Sequence, residues 1–146
     1  MLWPMSELLS ITIGEERFRA RLRRDLAPRS CERLLALLPY VSQVIHARWS
    51  GEALWSPLGA AWPQGERLSE ENATEHPGPG QILFFAGEGS EPELLFPYGT
   101  SRFACKAGAL KGNPVLKLID PSPRFTELGR QVLWHGALPM RIEVTS

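Results

Sequence analysis

Apolar and polar positions alternate at the start of the chain. Leu9, Ile11 and Ile13 take one parity and Ser10, Thr12 and Gly14 the other. After a turn at Gly14 and Glu15, Phe18, Ala20 and Leu22 alternate with Arg17, Arg19, Arg21 and Arg23. Period two in both runs predicts an antiparallel hairpin with one face in a core. The period then changes. Pro28 suits a first helical position, and Cys31, Leu34, Leu35 and Leu38 follow at helical spacing up to Pro39, which predicts a short helix. Residues 41–49 read as a strand. Residues 50–80, rich in Gly, Pro, Ser, Glu and Trp, read as a long ordered excursion.

The second half resumes the alternation of strands. Residues 81–86 and 93–96 are apolar runs joined by a Gly- and Pro-bearing turn, and residues 101–105 and 115–119 add further short strands. Ser122 as cap and Pro123 at the first position open a second helix through Phe125, Leu128 and Val132. Met140, Ile142 and Val144 alternate with Arg141, Glu143 and Thr145 in a closing strand. The expectation is a mainly β protein with two short helices, built as a closed antiparallel β-barrel of about eight strands in one domain spanning 1–146. No βαβ rhythm supports a doubly wound sheet.

Composition narrows the function classes. Sixteen basic residues balance sixteen acidic ones, which removes the simplest argument for a nucleic-acid or anionic-membrane partner. The arginine row at 17–23 reads either as a phosphate-binding stripe or as the wet face of a strand paired with glutamates, and the nearby Glu7, Glu15, Glu16 and Glu32 favour the wet face. The first six residues lack the features of a signal peptide, and no window approaches the roughly 20 apolar residues of a membrane span, so a cytoplasmic location is expected. Two cysteines, Cys31 and Cys105, read as free thiols acting as small buried hydrophobes. Nucleotide-binding glycine motifs and nucleophile elbows are missing from the sequence. The three histidines (His46, His76, His135) are scattered, so neither a cofactor nor a metal is expected.

Candidate chemistry concentrates at residues 46–55. His46 and Arg48 fall two apart on a strand, so they are expected on one face. Gly51 permits a sharp turn, and Glu52 follows between Trp49 and Trp55. A carboxylate beside indole rings loses hydration, which raises its pKa toward the range of general acid–base work, and a nearby arginine can clamp an anion. The alternative is an Arg48–Glu52 pair that orders the loop. Glu71 and Asn72 form a second polar group, read either as ligand contacts or as a turn bonding local backbone. Tyr98 could donate a proton and Arg102 bind an anion. A packing role for Tyr98 at a strand end competes with this, and Phe103 belongs to the same segment. Lys106 could be a Schiff-base amine, against the commoner surface lysine. Five tryptophans are many for this length and suggest an aromatic-lined site or a self-association surface.

Residues 11–14, 18–22 and 25–35 resemble the opening of the cyclophilins: a hairpin, an Ala27–Pro28 turn and a helix. Residues 125–129 and 140–144 are similar to their last helix and strand. Arg48 to Glu52, Glu71–Asn72, Pro79–Gly80 and Tyr98–Gly99 resemble an uncharacterised bacterial family with a cyclophilin-like barrel. The Phe-His-Arg and Gln-Gly-Asp segments of the cyclophilin isomerases have no match, so the resemblance implies the barrel and not prolyl isomerisation. A more distant likeness to the cucumopine and mikimopine synthases implies cofactor-free condensation of an amine with a carbonyl acid. In that reading Arg48 or Arg102 is the clamp and Glu52, His46 or Tyr98 the acid–base group. The function expected is thus a cofactor-independent enzyme acting on a small carboxylate- or amine-bearing metabolite. Its pocket is made by Arg48, Trp49, Trp55, Glu71, Asn72, Arg102 and Phe103, around Glu52, His46 and Tyr98. The alternatives are a binding module for a metabolite or peptide and a residual prolyl isomerase. A homo-oligomer is expected.

Overall fold

A computed structural model describes Pro4, residues 7–119 and residues 123–145. Ten strands and two helices follow in chain order: β1 (Leu8–Ile13), β2 (Glu16–Leu22), α1 (Pro28–Leu37), β3 (Tyr40–His46), β4 (Gly51–Pro57), β5 (Gln81–Phe85), β6 (Glu93–Ser101), β7 (Ala104–Cys105), β8 (Gly108–Ala109), β9 (Asn113–Leu118), α2 (Pro123–His135) and β10 (Leu138–Val144). Eight of the strands close a barrel in the order β1-β10-β3-β4-β6-β5-β9-β2, every pairing antiparallel. β7 and β8 form a separate small hairpin.

Period-two residues fill the barrel. Leu9, Ile11 and Ile13 meet Phe18, Ala20 and Leu22 from β2 and Met140 and Ile142 from β10. The other parity of β2 carries the arginines outward. Arg17 donates to Ser10 Oγ at 2.7 Å and Arg23 pairs with Asp25 at 2.8 Å. Arg124 of α2 reaches Glu16 at 3.5 Å; the row thus lies on the outward face, with Ser10 and Asp25, not glutamates, as the partners of Arg17 and Arg23. α1 begins at Pro28, as its sequence predicts, and packs Cys31 and Leu34 toward β9. α2 packs Phe125, Leu128 and Val132 into the same core, against β3, β4 and β6. The expected cap at Ser122 lies outside the described residues.

One segment departs from the expectation. Residues 51–57 are not part of a loop; they form β4, a barrel strand between β3 and β6. Alternation is hidden there because Ala53 and Leu54 are both fully buried, one on each face, and the register slips between Gly51 and Ala53. Gly51 makes the slip possible with φ 84° and a carbonyl, Thr100 O, 2.9 Å from where a Cβ would lie. β6 likewise runs unbroken to Ser101, so Tyr98 sits within a strand and not at its end.

β4, β5 and β6 are covered on both faces. Leu54, Phe84, Leu94 and Phe96 point inward. Leu83, Phe85, Leu95 and Ala53 point outward into a second cluster with Phe103 and Leu110. Two-sided burial explains the continuous apolar runs at 82–85 and 94–96. Among the described residues no helix is long and apolar enough to cross a membrane, and no group of three or more His, Cys, Asp and Glu could hold a metal.

Candidate functional site

The sequence candidates divide into three places. At one margin of the barrel interior, inward parity brings His46 of β3 to Tyr98 of β6. The Tyr98 hydroxyl lies 2.8 Å from His46 Nε2, and His46 Nδ1 lies 2.8 Å from Ala47 O. A carbonyl can only accept, so Nδ1 carries the hydrogen and Nε2 accepts the Tyr98 proton. Burial, reinforced by the charge of Glu52 and opposed by that of Arg130, raises the Tyr98 hydroxyl above its ordinary pKa. The ring lies flat against α2 at Gly129, where any Cβ would overlap it. Glu52 is exposed. Its carboxylate lies over Gly99 and accepts the Thr100 N–H at 2.9 Å. The environment expected for Glu52, a carboxylate desolvated between two indoles, is therefore not the one it has, because the β4 slip at this residue turns it to the surface.

The second place is the N-terminus of α1. Glu71 accepts the Arg29 N–H at 2.9 Å, the Ser30 N–H at 2.8 Å and the Ser30 hydroxyl at 2.7 Å. Burial alone would raise this carboxyl; the Ser30 hydroxyl and the two backbone donors outweigh it and hold the pKa below the ordinary value. Asn113 Oδ1 accepts the Glu71 N–H, and Asn113 Nδ2 donates to Ser30 Oγ, each at 2.9 Å. Asn72, in the left-handed region at φ 49°, donates to Leu26 O at 2.8 Å. These residues fasten the 58–80 segment to the helix. Arg102 is exposed and pairs with Glu75 at 2.9 Å, and Phe103 is fully buried edge-on to Phe85.

The third place is an open cleft of about 440 Å³ on the outer face of the barrel, walled by the end of β3 and the β7–β8 hairpin region, with the 87–92 turn opposite. Arg48, Trp49 and Trp55 line it. β3 stops at His46, so Arg48 does not share a face with the histidine; the two side chains serve different places. Trp49 is 53% exposed at the cleft and Trp55 is half-buried. Trp62 is not available to any surface, because it is buried edge-on to Phe84 and donates to Glu66 O at 2.9 Å. Cys105 is half-buried in the cleft wall, 3.7 Å from Gly89 O, and is not the core thiol expected. Cys31 is that core thiol, and burial pushes it up to about 11.

The residue with the strongest chemistry in the cleft is one the sequence does not point to. Glu93, the first residue of β6, faces outward with Leu95 and is only 7% exposed. Among the described residues its carboxyl has neither a hydrogen-bond partner nor an ion pair. Burial, with a smaller contribution from the neighbouring charge of Glu91, pushes it up to about 8. Arg48 and Lys106 line the same cleft, and no carboxylate among the described residues pairs with either. The cleft can thus bind an anion at its cations, seat an apolar body on indole, and give or take a proton at Glu93. A signal for Glu93 does exist: an acid between Pro92 and an apolar run that is buried on both faces.

The family described as "Protein of unknown function (DUF3830)" matches residues 9–144. No curated protein sequence matches the chain. Among solved structures, that of McbB in complex with tryptophan superposes with a TM-score of 0.71 at 21% identity, covering 94% of this chain and 45% of McbB. The chain therefore spans less than half the length of that protein. The solution structure of a hypothetical protein from Archaeoglobus fulgidus superposes with a TM-score of 0.62 at 12% identity, covering 95% of both chains. At these identities the likeness is one of fold.

Proposed function

The chain belongs to the DUF3830 family, and we propose that its outer cleft is a small-molecule site where Glu93 moves a proton on a carboxylate- or amine-bearing metabolite held by Arg48. One observation carries this reading: a carboxyl that is 7% exposed, has no partner among the described residues, and faces open space. An unpaired buried acid is a liability to folding, and such liabilities concentrate at sites of function. A group titrating near 8 holds its proton at neutrality and still exchanges it readily, as general acid–base catalysis requires. The cleft volume of about 440 Å³ lies in the range of small-molecule sites, and its Trp49 and Trp55 indoles supply the apolar seat. McbB, alike in fold, is known in complex with tryptophan, a metabolite that carries both an amine and a carboxylate.

Amine–carbonyl condensation suits such a group. The amine nitrogen adds to the carbonyl carbon to give a carbinolamine. Glu93 then delivers its proton to the hydroxyl, which leaves as water, and the resulting carboxylate takes the proton from the iminium nitrogen. The step is redox-neutral. Incubating the protein with a panel of amines and carbonyl acids, with products followed by mass spectrometry, tests the proposal. Glu93→Gln is expected to lower kcat by about 100-fold or more with little change in KM. Full turnover in Glu93→Gln would overturn the assignment, and binding without turnover in the wild type would make the cleft a binding module.

A further inference from the structure

Resting on that reading of the cleft, we infer that its ligand enters as an anion: a flat carboxylate with its charge on Arg48 and Lys106 and its body on the tryptophans, in preference to a free amine. The argument is a charge count. Four ionisable side chains with a formal charge to contribute line the cleft: Arg48, Lys106, Glu91 and Glu93. Glu91 is exposed to water and enters the count with its formal charge. Glu93 is different, because it is only 7% exposed and, among the described residues, no cation or donor pairs with it, so burial favours the neutral form and the group retains its proton at neutral pH. Two cations and one anion remain.

An entering ammonium meets this excess of like charge, with Glu91 alone to balance it. An entering carboxylate meets the Arg48 guanidinium, whose fork has no carboxylate partner among the described residues and matches two carboxylate oxygens. The Glu93 O–H adds a hydrogen-bond donor, which an acceptor atom on the ligand would satisfy. Shape selects in the same direction, since the Trp49 and Trp55 indoles present flat apolar surface. The cleft should lose this preference as Glu93 ionises above neutrality. The charged or titratable groups around Glu93 in that range are Glu91 on the turn before it, Cys105 and Lys106 across the cleft, and Arg48 beyond the end of β3.

Calorimetric titration at pH 7 with cinnamate and cinnamylamine, one planar body with opposite charges, decides the matter. Cinnamate is expected to bind at least about 10-fold more tightly than the amine. Arg48→Met, with an unchanged melting temperature, is expected to lower cinnamate affinity by about 10-fold. Between pH 7 and 9 the wild type and a Cys105→Ser control should both lose cinnamate affinity. Glu93→Gln, neutral at every pH and still a donor, should keep it. Equal or tighter binding of cinnamylamine, or an Arg48→Met variant that binds cinnamate like the wild type, overturns the inference while leaving the cleft a ligand site. Failure of both compounds to bind overturns the site reading with it.

Discussion

Two carboxyl groups withdrawn from water, Glu71 and Glu93, have opposite fates. At the start of α1, Glu71 collects two backbone N–H groups and a serine hydroxyl, and its pKa falls. On the outer face of β6, Glu93 collects no donor among the described residues and its pKa climbs to about 8. Burial acts in the same direction on both. The supply of donors decides the outcome, and with it the role: Glu71 is consumed in holding a helix to the barrel, while Glu93 is left with capacity to spare in an open cleft. The His46–Tyr98 pair belongs with Glu71, since each of its polar atoms is matched within the fold.

The contrast can be broken most forcefully at Glu93. Its folded pKa is raised, so its contribution to stability is fully present below the ordinary carboxylate range and is lost as pH rises through about 8. Glu93→Gln should remove that loss, leaving the variant more stable than the wild type at pH 8–9 by roughly 2–4 kcal/mol, read from urea unfolding at each pH. A wild type equally stable at pH 5 and pH 9 would show that Glu93 finds a partner. Next in size is Glu71→Ala, which orphans the Ser30 hydroxyl and two helix-start donors; a loss of about 2 kcal/mol is expected at pH 7. Glu71 has the opposite pH sign. Its folded pKa is lowered, so its contribution is present above the ordinary carboxylate range and disappears as pH falls through the lowered value. From these two groups, stability should peak under mildly acidic conditions, and the Glu71→Ala deficit should shrink on acidification.

A smaller effect tests the barrel margin. Tyr98→Phe leaves His46 Nε2 without its donor and should cost about 1 kcal/mol, with no change in cleft binding. Loss of binding in that variant would merge the two places into one site. The smallest stability effect is expected at Arg48, which is exposed and unpaired among the described residues. Arg48→Met should shift stability by no more than about 0.5 kcal/mol, while weakening an anionic ligand.

Much of the barrel was readable because period two survives wherever one face of a strand is wet. β2 alternates cleanly and β10 does so through Ile142, with Val144 exposed at its end, while β1 keeps its core parity although Leu8 and Ser10 on the other face are also buried. β4 was unreadable for a physical reason: with buried residues on both faces and a register slip at Glu52, it offers neither alternation nor a long apolar run. The cleft was half legible. Arg48, Trp49 and Trp55 declare themselves as a cation between aromatic rings. Glu52 attracts the role proposed for Glu93 because it is the acid nearest those rings in sequence.

What the residue order determined by itself is local: which positions face a core, where α1 starts at Pro28, and that charges balance. What only the tertiary structure decided is which polar groups end with partners. Glu71 meets the start of α1 across 41 residues of chain, and Glu93 is nearly buried in the lining of a cleft whose other walls come from residues 47–55, 89–91 and 104–107. Desolvation and hydrogen bonding depend on every neighbour in space, and those neighbours are distant in sequence. For that reason two glutamates indistinguishable as letters become a structural anchor and a candidate catalyst.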